Sequence, residues 1–153
     1  MFTTEQMKVI QFCADEVARQ HDSPRAVGWL VGAWAFAVDL CESSHPLTRQ
    51  VIEQLGRLVQ PRKNPFGFRH GPVWVGNDEG AKHSEIREKV DDLCGVCAAG
   101  DLSPGEAYIY FQKIHPFFDG NGRCGKVIYF WLCGRLRDPD IKLVPNPWDL
   151  SNP

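Results

Sequence analysis

His115-Pro116-Phe117-Phe118-Asp119-Gly120-Asn121-Gly122-Arg123-Cys124-Gly125-Lys126 decides how the rest of the chain is read. Two glycines flank an asparagine just ahead of Val127, Ile128, Trp131 and Leu132, which fall on one face of a helix with Cys124. Glycine permits the backbone angles that turn successive N–H groups inward, and a helix N-terminus adds positive potential, so the stretch suits phosphate. Arg123 and Lys126 are neighbours on a helix surface, and both can reach a polyphosphate bound at that end. Asp119 offers a hard oxygen for a Mg2+ carried by the phosphates. His115, at the end of the preceding helical stretch, can act as general base.

Two phosphate motifs overlap this stretch and both fail on context. Gly120 to Lys126 fits GxxxxGK, but Val127 follows where a P-loop has Ser or Thr. Gly120, Gly122 and Gly125 fit GxGxxG. Each motif must follow a buried strand, whereas Ser103-Pro104-Gly105-Glu106 reads as a capping box opening a helix to Ile114, with Ala107, Tyr110, Phe111 and Ile114 as its buried stripe.

Outward from the loop the signals are mostly helical. Thr3 and Gln6 make a capping box for a first helix to about Gln20. Ser23-Pro24 opens a second, apolar nearly all round through Trp29, Leu30, Trp34, Phe36 and Val38, and expected to be the central buried one. A third covers about Thr48–Val59 and a fourth about Ser84–Cys97. Between them, Phe66–Arg69 and Val73–Val75 are short β-prone pieces around His70-Gly71, which predicts a small hairpin. The proline-containing tail after Arg137 is expected to be extended.

The 153 residues suit one domain, and 43% hydrophobic content supports a core. A net charge of −2 weakens any case for nucleic-acid or membrane-surface binding resting on bulk charge. The N-terminal residues carry no basic-then-apolar export pattern, and the longest nearly uncharged apolar stretch, Ala26–Val38, is too short to span a bilayer. A cytoplasmic protein with reduced thiols is the expectation. Cys94 and Cys97 form a lone CxxC; they share a helical face with Ile86, Val90 and Leu93 and read as core filler rather than zinc ligands.

The loop resembles the signature of the Fic family, H-x-F-x-D/E-G-N-G-R-x-x-R, at seven of its eight fixed positions; Lys126 stands at the eighth, where the family usually has a second arginine. The resemblance is firm over about residues 66–136 and implies one mainly α, Fic-type helical bundle over 1–153. It implies a β-hairpin flap at about 66–76, the active-site loop at 115–126 and a C-terminal tail at 138–153. Most Fic proteins transfer AMP from ATP, with Mg2+, onto a Tyr, Thr or Ser hydroxyl of a target protein. By position, His115 would deprotonate the hydroxyl, Asp119 would hold Mg2+, Gly120, Asn121 and Gly122 would form the anion hole, and Arg123 would grip the phosphates with Lys126 beside it. Phe117 would anchor the loop in the core. Phe68, Val73, Trp74 and Val75 of the flap would hold the target segment by strand-like pairing; for Trp74, packing the flap down is an equal alternative.

The alternatives are a Fic-fold transferase with another donor or transferring phosphate, and a catalytically silent nucleotide-binding or interaction module. The inhibitory S/T-x-x-x-E-G/N motif that many Fic proteins carry is missing, because only Ser84 leads to a glutamate, Glu88, and Lys89 follows it. An antitoxin-like partner supplying inhibition is one expectation; a Lys126 that makes such control unnecessary is the other. Delivery into another cell as an effector is also compatible with the resemblance.

Overall fold

Reciprocal capping boxes start two of the helices. The Thr3 hydroxyl accepts from the Gln6 N–H while the Gln6 side chain returns to the Thr3 N–H, opening α1 (Thr4–Arg19). Ser103 and Glu106 do the same for α5 (Pro104–Ile114), with proline in the first turn. Thr48 caps α3 (Arg49–Val59) through the Val51 N–H. The remaining helices are α2 (Arg25–Glu42), α4 (Ile86–Ala98, entered through a 3-10 turn at His83–Glu85) and α6 (Asn121–Cys133). The structure, a computed structural model, describes residues 1–147, with Asp78 by its backbone alone.

The central helix is α6, not α2. Its stretch Arg123–Trp131 is buried without interruption, and it packs against α2, α3 and α5. By contrast α2 buries only Ala26, Leu30, Ala33, Trp34 and Ala37 and leaves Trp29 half-buried under Arg62. An apolar circumference did not make α2 central because its outer face is covered only in part, while α6 is enclosed on all sides with its cations included. An aromatic cluster joins α1, α2 and α6: Phe12 lies 5.2 Å from Trp34 and 5.4 Å from Phe130, and the Trp34 indole donates to the Leu136 carbonyl at 2.6 Å. On α5 the buried face is Ala107, Tyr108, Phe111 and Ile114, with Tyr110 turned outward.

The hairpin exists but is shifted along the chain. Trp74–Val75 (β1) pairs antiparallel with Asp78–Glu79 (β2), Trp74 opposite Glu79, around a two-residue loop whose first residue, Gly76, has φ 61°. Glycine at that place is the type II′ solution, which matches strand twist better than a turn at His70-Gly71. Phe66–Arg69 is not a strand, because Phe68 and Arg69 are both drawn into the interior. The tail carries a 3-10 turn at Ile141–Leu143 held by the Tyr129 hydroxyl on the Leu143 carbonyl at 2.7 Å, so it is not simply extended. Residues 148–153 of the expected tail lie outside the described residues.

Among the described residues no helix is long and apolar enough to cross a membrane. Cys94 and Cys97 pack against the core, and burial pushes the Cys94 thiol up to about 12.

Candidate active site at the N-terminus of α6

The loop between α5 and α6 is fixed by its own side chains. Phe117 is fully buried, 5.4 Å from the Phe68 ring, and occupies space opened by Gly56, where a Cβ would lie 2.2 Å from the Phe117 ring tip. Asn121 spans the turn twice: its Oδ1 accepts from the Phe117 N–H at 2.9 Å and its Nδ2 donates to the Phe117 carbonyl at 2.8 Å. Asn64 donates to the Asp119 carbonyl at 2.8 Å and to the Gly56 carbonyl at 3.1 Å. Gly120, with φ 81°, swings the chain into α6, and the first helical bond runs from the Cys124 N–H to the Gly120 carbonyl. The N–H groups of Asn121, Gly122 and Arg123 lie ahead of that bond at the positive end of the helix.

His115 ends α5 in the left-handed region, with φ 51° and ψ 62°. Arg69, 2% exposed, holds it there. The guanidinium donates to the His115 carbonyl at 2.7 Å, the Gly71 carbonyl at 2.8 Å, the Ile114 carbonyl at 3.3 Å and the Ala81 carbonyl, and the Arg69 N–H donates to the Pro116 carbonyl at 2.9 Å. One buried cation thus satisfies the carbonyls that a helix C-terminus leaves open and favours their negative end of the dipole. Burial pulls the His115 pKa below its usual 6.5; the Gln112 backbone opposes this, the nearby Arg69 charge reinforces it, and Asp119 opposes it. Nδ1 is buried without an aligned partner, so Nε2 is the nitrogen left to meet the cavity.

That cavity, of about 280 Å³, has two walls. His115, Asp119, Gly120, Asn121, Gly122 and Arg123 come from the loop and α6; Gln20, His21 and Asp22 come from the turn between α1 and α2, with Lys63 at the side. Arg123, 3% exposed, donates to Asp22 Oδ2 at 2.6 Å and lies 3.5 Å from Asp119 Oδ2, while its buried Nε has no partner. Burial would raise the Asp22 pKa, but the Ser23 N–H and the Arg123 guanidinium prevail and hold it below the usual carboxylate range. Gln60 Nε2 joins the carboxylates, at 3.2 Å from Asp22 and 3.3 Å from Asp119, and Lys63 Nζ is 3.5 Å from Asp119.

Five of the six loop residues named from the sequence therefore face one cavity with His115: Asp119, Gly120, Asn121, Gly122 and Arg123. The sixth, Lys126, does not line it. Its Nζ sits 2.6 Å from Glu16 on α1 and 5.9 Å from the Tyr108 ring centre, with 7% of the residue exposed. Glu16 is fully buried and also meets Arg19 at 2.7 Å and Gln20 at 3.0 Å; burial would raise its pKa, but Lys126, Gln20 and Arg19 together hold it below the usual carboxylate range. The reason is rotational: three residues on from Arg123 the helix face has turned from the cavity toward α1 and α5. Asn121 likewise offers the cavity its backbone, since its amide is spent on Phe117.

On the flap side, Phe68 packs on Phe117 with 9% exposed and is not available to a target. Trp74 is 64% exposed on β1, with Val73 and Val75 half-buried beside it. Sequence reasoning missed Arg69, Asp22, Gln60 and Asn64. Asn64 and Arg69 are polar residues in a segment of prolines and glycines, a composition that hides burial; Asp22 and Gln60 sit at helix ends, where such residues are ordinary.

No family model matches the chain, and no curated protein matches it. Among solved structures, the chain is similar to a Fic domain containing signaling protein from Bacteroides thetaiotaomicron VPI-5482, with a TM-score of 0.58 and 20% identity over 84% of this chain. The match spans 54% of that protein, so this chain corresponds to about half of it. The fold is thus the mainly α, Fic-type helical fold that the loop resemblance implied.

Proposed function

We propose that the chain is a protein adenylyltransferase, moving AMP from ATP to a hydroxyl of a target protein. The observation that carries this is the convergence of His115, Asp119, the α6 N-terminus and the buried, part-unpartnered Arg123 on one polar cavity. The N–H groups of Asn121, Gly122 and Arg123 suit the donor's phosphate oxygens, and Arg123 adds charge from a site already desolvated. Positioning and charge neutralisation are most of what phosphoryl-group chemistry asks of a protein. His115 Nε2 takes the hydroxyl proton as the hydroxyl oxygen bonds to the α-phosphorus; the bond from that phosphorus to the bridging oxygen breaks, and pyrophosphate leaves.

Mg2+ fits the donor set. Asp119 Oδ2 has neighbouring nitrogens at 3.3–3.5 Å and none closer, so its lone pairs are only loosely engaged. Asp119 would be the protein's carboxylate on an ion that enters with the phosphates. When bound it would neutralise phosphate charge beside Asp119 and Asp22.

The withdrawal of Lys126 to Glu16 favours a second reading, a Fic-fold transferase with another donor or another group, because only Arg123 of the two loop cations meets the cavity. Incubation with candidate target proteins and ATP labelled at the α- or the γ-phosphate tests both. Label from the α position, lost in His115→Ala, supports AMP transfer. Label from γ alone supports the second reading, and bound nucleotide with no label on protein refutes both transfers.

A further inference from the structure

Four helices end in the same six-residue motif, with paired 6→1 and 5→2 backbone bonds and a left-handed residue at its fifth position. At α4 and α6 that residue is glycine, Gly100 with φ 75° and Gly134 with φ 68°. At α2 it is Ser44, φ 58°, where His45 N–H reaches the Leu40 carbonyl and Ser44 N–H the Cys41 carbonyl. At α1 it is His21, φ 55°, where Asp22 N–H reaches the Val17 carbonyl and His21 N–H the Ala18 carbonyl. A side chain in this conformation is disfavoured where glycine is free. Among the described residues only three non-glycine residues have positive φ, His21, Ser44 and His115, and the two histidines line the same cavity.

The wall that His21 belongs to is built against the α6 N-terminus. The Gln20 side chain lies 3.0 Å from where a Cβ on Gly122 would be, and Asp22 grips Arg123 at 2.6 Å. Arg123, 3% exposed, thus presents its charge to the cavity beside this turn. We propose that His21 is a phosphate-binding residue, its imidazole donating to the distal phosphates of a nucleoside triphosphate whose α-phosphate lies toward His115. This rests on the nucleotide reading above and adds a preference for triphosphate over monophosphate set by the α1–α2 turn. Other charged groups on the cavity are Asp22, Lys63, Asp119 and Arg123.

His21→Gly tests it, with Ser44→Gly as control. Both relieve the same backbone conformation in the same motif, so both raise Tm; Ser44 does not line the cavity. Calorimetric titration with ATP and with AMP, each with Mg2+, gives the ratio of the two affinities. His21→Gly is expected to shrink that ratio about tenfold, the worth of one charge-assisted hydrogen bond, through weaker ATP binding and with AMP affinity kept. Ser44→Gly leaves the ratio unchanged. A ratio equal to wild type in His21→Gly overturns the inference while leaving the nucleotide reading in place, as does an equal change in Ser44→Gly. A wild-type protein that binds neither nucleotide removes both.

Discussion

Replacing Glu16 by Gln keeps shape and removes one charge from the most buried ion pair among the described residues, 2.6 Å from Lys126 Nζ. Lys126 then keeps a neutral amide oxygen in place of the carboxylate, and the Tyr108 ring 5.9 Å away. Breaking a buried pair from one side costs about 3–5 kcal/mol, and a cation–π contact returns about 1 kcal/mol, so a loss of about 3 kcal/mol is expected. That is a large part of a total of about 5–15 kcal/mol. Lys126→Met is expected to cost less, about 1–2 kcal/mol, because Glu16 retains Arg19 at 2.7 Å and Gln20 at 3.0 Å. The double variant should be no less stable than Lys126→Met alone. Urea unfolding at pH 7 measures all three. Glu16 has its folded pKa lowered below 4.5, so its contribution is fully present above 4.5 and is lost as pH falls through the folded value; the gap between wild type and Glu16→Gln should close on acidification. A Lys126→Met variant that is more costly than Glu16→Gln, or that loses nucleotide affinity, would refute the assignment of Lys126 to α1 rather than to the cavity.

Further outcomes follow from the same geometry. Gly56→Ala puts a Cβ on the Phe117 ring and should cost about 3 kcal/mol in urea unfolding, the upper end of what overpacking costs, while abolishing transfer; full activity would show that the loop does not depend on that anchor. The acid limb of the transfer rate should have its midpoint below 6.5, because His115 is held neutral by burial; a midpoint above 6.5 in a pH–rate profile would contradict the site's electrostatics. Arg69→Met should move that midpoint upward, since a cation that disfavours imidazolium is gone, and should lower kcat by loosening the His115 backbone; an unchanged profile would leave Arg69 a purely structural clamp.

Much of this was legible along the chain because local rules and packing agree. The capping boxes at Thr3 and Ser103 fixed two helix starts within a residue, and the Gly-Asn-Gly turn marked the start of α6. Reading failed where a tertiary partner outvoted the local pattern. Phe66–Arg69 has strand-like side chains, yet Phe68 is claimed by Phe117 and Arg69 by the carbonyls at the end of α5. Lys126 obeys the one-turn spacing from Arg123, but spacing alone does not say that a buried carboxylate waits on α1. His21 and Asp22 gave no signal, because a chain turn between two helices reaches the cavity only through the packing of α1 beside α6.

The central claim is that phosphate lies against the first turn of α6. Titrating 15N-labelled protein with ATP and Mg2+ and following its amide resonances tests it directly. The amides of Asn121, Gly122 and Arg123 should move first and furthest, with those of His21 and Asp22 following. Resonances that stay still there, or that shift instead along the apolar groove of Val9, Val31 and Val38 between α1 and α2, would contradict the account.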